Sequence, residues 1–142
     1  MTRLIPIDNG AFVSGQIAAA DVAEAAALGV TLIVNNRPDG EEPGQPSGAE
    51  IEAAAVAAGL EYRHIPVSGG FSQGQVAEMA EALDEAEGKV LAFCRSGTRS
   101  TYLWALARAS RGVDGESLFA QAAAAGYDLS PLRTYLQGTH PQ

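Results

Sequence analysis

Four short apolar runs set the terms on which this chain can fold: Ala11 to Ser14, Val30 to Val34, Tyr62 to Val67 and Val90 to Phe93. Each is too brief for an independent helix. The second is rich in β-branched residues, the pattern of a strand buried on both faces. Helical stretches separate them, so the strands cannot pair as simple hairpins and must pair in parallel through crossovers. The first helix is expected near 18–28, stopped by Gly29. Ser47-Gly48-Ala49-Glu50 reads as a capping box, and the helix it opens places Ile51, Ala54, Ala55 and Ala58 on one face before Gly59. A second capping box, Ser72 to Gln75, precedes Val76, Met79, Ala80 and Leu83, which repeat at helical spacing up to Gly88.

Beyond Phe93, Leu103, Leu106, Ala107 and Ser110 share one helical face. Two further helices are expected near Asp114 to Ala125 and Pro131 to Gln137, with Ser130 as N-cap of the last. The stretch 35–48 holds three prolines and three glycines and is read as irregular. The expected fold is α/β: a single domain over 1–142, with about four mostly parallel strands, helices on both faces, and a frayed tail from about 138.

Net charge is −8, which disfavours nucleic-acid polymers and anionic membranes as partners. No run approaches the roughly 18 apolar residues of a membrane span. Met1 to Gly10 is broken by Pro6 and Asp8 and lacks the apolar core of a signal sequence, so a cytoplasmic location is expected. Cys94 is the only cysteine, which excludes an internal disulfide or resolving thiol. With His64 and His140 the only histidines, neither a metal site nor a cofactor is expected. His64 is read as structural, and His140 as part of the tail.

Cys94 ends an apolar strand and opens the run Cys94-Arg95-Ser96-Gly97-Thr98-Arg99-Ser100. Ligands of open α/β sheets bind beyond the carboxyl ends of strands. A helix starting there leaves its first N–H groups unpaired, and they point at the ligand. Gly97 permits a tight turn, and Arg99 adds a rigid fork of donors for an anion. The same donors favour a thiolate. Cys94 and Arg99 are thus the candidate catalytic residues, with Arg95, Ser96, Gly97, Thr98 and Ser100 as an anion-binding loop. The competing reading, an inert core cysteine, fits poorly with two arginines and a glycine at a strand end.

This loop resembles the active loop of rhodanese-type sulfurtransferases and, more loosely, that of cysteine-dependent phosphatases. Taken whole, residues 10 to about 137 resemble the phosphatase-like domain of beta-lactamase-hydrolase-like proteins. The resemblance is carried by Val13-Ser14-Gly15-Gln16, Arg37-Pro38-Asp39-Gly40-Glu41, Ile65-Pro66-Val67 with Ser68-Gly69-Gly70, and the cysteine loop. It implies a cysteine-phosphatase-like fold. Asn36 departs from the family pattern, which would place an apolar residue there.

The resemblance also bears on what is transferred. The phosphatases place five residues between cysteine and arginine, a histidine before the cysteine, and an acidic residue in the loop after the preceding strand. Here four residues intervene, Phe93 precedes the cysteine, and that loop reads Ser68-Gly69-Gly70. The expected function is therefore sulfur transfer through a Cys94 persulfide, from a small sulfane-sulfur donor to an external thiol acceptor. The alternatives are a phosphatase acting on phosphate esters through a phosphocysteine, and a non-catalytic anion or persulfide sensor. Asp39, Glu41 or Glu42 could substitute for the missing acid. Asp39 is otherwise a turn former before Gly40, and Arg37 either binds the anion or pairs with a carboxylate. Arg37, Asp39 and Ser68 are the supporting candidates around the loop.

Overall fold

A computed structural model describes residues 3–138 of the chain. The expected frayed end beyond 138, with His140, lies outside the described residues. Among these residues five strands form one sheet: β1 (Ile5–Asp8), β2 (Ala11–Ser14), β3 (Val30–Asn35), β4 (Glu61–His64) and β5 (Lys89–Phe93). Their order is β1-β2-β5-β3-β4, parallel throughout except for the antiparallel pairing of β1 with β2. Among the described residues there are six α-helices: α1 (Ala19–Ala27), α2 (Gly48–Ala57), α3 (Gln73–Glu85), α4 (Thr98–Ser110), α5 (Gly115–Ala124) and α6 (Arg133–Gly138). No described helix is long and apolar enough to cross a membrane.

The α/β reading holds, but the strand count of about four falls one short. The missed strand is β1, whose Pro6 and Asp8 disguise it. Proline is tolerated at a sheet edge because no partner needs its missing N–H. Asp8 serves as an anchor: its Oδ2 accepts from Trp104 Nε1 at 2.7 Å and Arg108 Nε at 2.9 Å, tying the edge strand to α4. The strand expected over Tyr62 to Val67 ends early, at His64. Ser130, expected as the N-cap of the last helix, instead lies within a 3-10 turn, Ser130–Leu132, whose N-cap is Leu129, and α6 begins after it at Arg133.

Alternation along the strands divides the core in two. Val13, Val34, Val90 and Ala92 pack with α3, α4 and α5 through Met79, Leu103, Trp104 and Leu118. Phe12, Ile33, Leu91 and Phe93 pack on the other face with Val22 and Ala25 of α1 and Ile51 and Ala55 of α2. The two predicted capping boxes, at Ser47 and Ser72, place their helix starts correctly. Ser47 Oγ accepts from Glu50 N at 3.1 Å, and Ser72 and Gln75 bond reciprocally at 3.0 and 2.8 Å.

The topology fixes where a site can form. β5 lies mid-sheet, between β2 and β3 and parallel to both, so the carboxyl ends of three strands lie side by side. Backbone bonds continue just past those ends: Cys94 N to Ser14 O at 3.3 Å, Asn36 N to Phe93 O at 2.8 Å and Gln16 N to Arg95 O at 3.2 Å. The loops after β2, β3 and β5 are thereby drawn together.

Candidate active site

Cys94 sits at the bottom of this junction and has no exposed surface. Its Sγ accepts a hydrogen bond from Gly97 N at 3.1 Å. Gly97 is the N-cap of α4, with φ +91° and ψ −10°, a left-handed conformation that glycine adopts without steric cost. Thr101 secures that turn, donating from both N and Oγ1 to Gly97 O at 2.9 and 2.8 Å. Gly15 makes room on the other side, because a Cβ there would lie 3.0 Å from Arg95 O. Ser96 Oγ and Thr98 Oγ1 are 3.1 Å apart at the loop rim.

Arg99 leaves the first turn of α4 towards two partners. Nη1 and Nη2 donate to Glu41 at 2.7 and 2.8 Å, and Nη1 also donates to Val67 O at 2.7 Å. Glu41 raises the arginine's pKa above its usual value; burial opposes this, and the charge of Cys94 adds to it. Arg37, almost wholly buried, donates to Glu41 at 2.9 Å, to Glu42 at 2.9 Å and to Gln16 Oε1 at 3.0 Å. Burial works against that charge, and the bonds to Glu42 and Glu41 more than compensate, leaving its pKa raised. Arg37 therefore pairs with carboxylates, the second of the two roles open to it.

Glu41 joins the two arginines. Its hydrogen bond from Arg99, against the cost of burial and with help from Arg37, lowers its pKa to about 2. At neutral pH it is an ionised acceptor, not a proton donor. Glu42 is likewise lowered, by Arg37 first and then by Arg95. Asp39 is engaged elsewhere, its Oδ1 accepting from Gly48 N at 2.7 Å at the start of α2. None of the three acidic candidates is arranged to protonate a leaving group.

Other expected site residues separate. Arg95 points outward, 68% exposed, with Nη2 3.8 Å from Glu42. Ser100 is buried and turned from the loop, donating to Asn36 Oδ1 at 2.8 Å, while Asn36 Nδ2 donates to Ile65 O at 2.9 Å. Asn36 thus occupies an apolar position because it joins α4 to the end of β4. His64 Nε2 lies 2.9 Å from Arg37 O, a supporting contact in keeping with a structural role. Ser68 is exposed beside Val67, whose carbonyl holds Arg99.

Two participants are not among the expected site residues, although Gln16 belongs to the Val13-Ser14-Gly15-Gln16 motif. Gln16 is one, brought in by the β2 loop. Tyr127 is the other; its hydroxyl donates to Ser96 O at 3.0 Å from a turn more than a helix away.

The sequence profile of the beta-lactamase hydrolase-like protein, phosphatase-like domain, matches residues 4–111. The chain belongs to that family. A beta-lactamase hydrolase-like protein of Agrobacterium fabrum is 35% identical over 137 residues, covering 95% of this chain and 32% of its own length. The chain thus spans about a third of the curated relatives it matches. Among solved structures, a candidate phosphatase from Neisseria meningitidis shares 34% identity at a TM-score of 0.84, covering 96% of this chain and 98% of its own. Human DUSP28 superposes with a TM-score of 0.67 at 20% identity, covering 96% and 91%. That likeness speaks for the fold alone. The domain is phosphatase-like in family and architecture.

Proposed function

We propose that this phosphatase-like domain is an enzyme that transfers a group through a covalent adduct on Cys94, and that the group is sulfane sulfur. Cys94 and Arg99 are the catalytic residues of this reading. In the first step the thiolate attacks the outer sulfur of a donor such as thiosulfate. The donor's S–S bond breaks, sulfite leaves with the bonding pair, and Cys94 carries a persulfide. An external thiolate or cyanide then takes the terminal sulfur and restores the Cys94 thiolate. The single cysteine makes an external acceptor necessary.

One observation carries the choice of sulfur: both oxygens of Glu41 accept from Arg99 and one also accepts from Arg37, so this carboxylate is held as an acceptor with no proton to give. Expelling an alkoxide from a phosphate ester gains from a protonated acid beside the leaving oxygen. Sulfite and thiolates leave without one. The short spacing from Cys94 to Arg99 points the same way.

Phosphate ester hydrolysis is the second reading, and kinship favours it more than it favours sulfur. The family description and the Neisseria relative are both phosphatase-like. In that case the thiolate attacks phosphorus, the P–O bond breaks and the alkoxide leaves, taking its proton from water, and a second water then hydrolyses the phosphocysteine to phosphate and the free thiol. Paired kcat/KM values, for thiosulfate with cyanide and for an aryl phosphate, separate the two. Sulfur transfer exceeding phosphatase turnover supports the first reading; efficient aryl phosphate hydrolysis without sulfur transfer replaces it with the second. Binding without turnover in both assays would identify a sensor.

The chain is proposed to act as one catalytic domain, as a unit that also occurs within longer relatives.

A further inference from the structure

The Ser96–Gly97 peptide divides its two polar groups between two partners. Ser96 O accepts from the Tyr127 hydroxyl at 3.0 Å, and Gly97 N donates to Cys94 Sγ at 3.1 Å. In a planar trans peptide these groups point in opposite directions, so a bond that fixes one aims the other. Gly97 itself does not impose the choice. Gly97 has φ +91°, and rotating the preceding peptide by half a turn would carry it to about −90°, which glycine adopts as readily. The rotated peptide would set a carbonyl oxygen, not a donor, against the sulfur.

Tyr127 is built to make that choice. It follows Gly126 (φ +96°), and its backbone N donates to Ala122 O at 2.8 Å, closing the end of α5. Tyr102 Oη donates to Asp128 O at 3.0 Å, pinning the same turn to α4. The phenol lies against the loop so closely that a Cβ on Gly97 would collide with its hydroxyl. Burial first, and Cys94 second, raise the phenol's pKa, so it remains a donor.

We infer that Tyr127 is a positioning residue that holds the Ser96–Gly97 peptide with its N–H towards Cys94, and so sets how readily that sulfur reacts. The inference rests on Cys94 being the nucleophile, but not on whether sulfur or phosphate is transferred.

The test is Tyr127→Phe in the full chain, which keeps the ring and removes the hydroxyl. Iodoacetamide alkylation followed against pH reads Cys94 alone, as the only thiol. The alkylation rate at neutral pH should fall about tenfold relative to the native protein, with kcat falling about as much and KM unchanged. Superimposable alkylation profiles from the two folded proteins would overturn the inference. A Cys94 that resists alkylation at every pH in both would instead overturn its role as nucleophile. Should the variant not fold, the native protein still decides: the Gly97 amide resonance should shift when Cys94 is alkylated, and an amide indifferent to Cys94 contradicts the proposal.

Discussion

Glu41 accepts two hydrogen bonds from the Arg99 guanidinium, at 2.7 and 2.8 Å, across 58 residues of chain. With Val67 O on Nη1 as well, three bonds fix the plane of the guanidinium beside the cysteine loop. Glu41 therefore governs Arg99 without being an acid. Glu41→Gln should leave the fold intact and lower kcat, because a neutral amide offers one acceptor where the carboxylate offers two. The check is a kcat and KM pair in native and variant proteins.

The same tie has a pH signature. The pKa of Glu41 is depressed to about 2, chiefly by Arg99. A depressed carboxylate contributes stability that is fully present above its unfolded pKa and is lost as pH falls through its folded pKa. The native protein should therefore exceed Glu41→Gln in stability at neutral pH. That margin should shrink as pH falls from about 5 towards about 2. Urea unfolding of both proteins across that range measures it. A margin independent of pH would show that the pair contributes no ionic stabilisation.

The two loop arginines should separate sharply. Arg99 is 25% exposed and anchored, whereas Arg95 is 68% exposed with one distant carboxylate. Arg99→Ala should cost about 2–4 kcal/mol in kcat/KM, as for other donors aimed at developing negative charge. Arg95→Ala should change turnover little, since exposed ion pairs contribute about 0–1 kcal/mol. Steady-state kinetics on the two variants test this directly, and equal losses would place Arg95 in the site.

Asn36 links two buried partners, Ser100 Oγ and Ile65 O. Asn36→Leu should be destabilising, because each buried group left without a partner costs about 1–3 kcal/mol. Adding Ser100→Ala removes one orphaned hydroxyl and should recover part of that loss. The double variant should thus be more stable than Asn36→Leu alone, as read by urea midpoints.

The parts of this molecule legible in the sequence are those encoded locally. Apolar strands such as Val90 to Phe93, the caps at Ser47 and Ser72, and the Cys94 loop with its glycine all declare themselves within a few residues. β1 escaped because Pro6 and Asp8 look like breakers until the sheet edge and Trp104 are known. Glu41 and Glu42 were visible as carboxylates, but their ionisation depends on Arg99 and Arg37, which only the fold brings near. Ser100 looked like part of the anion loop by position, and helix geometry turned it towards Asn36. Tyr127 had no local mark, since its role depends on a turn after α5 reaching back to Ser96.

Intact-mass spectrometry of the native protein and of Cys94→Ser tests the central claim most directly, after separate exposure to thiosulfate and to an aryl phosphate. Native protein should gain one sulfur from thiosulfate, mapped to Cys94 and removed by cyanide or an external thiol, while Cys94→Ser gains nothing. A phosphoryl adduct on Cys94 from the aryl phosphate, with no sulfur gained from thiosulfate, would contradict sulfur transfer and make this domain a phosphatase.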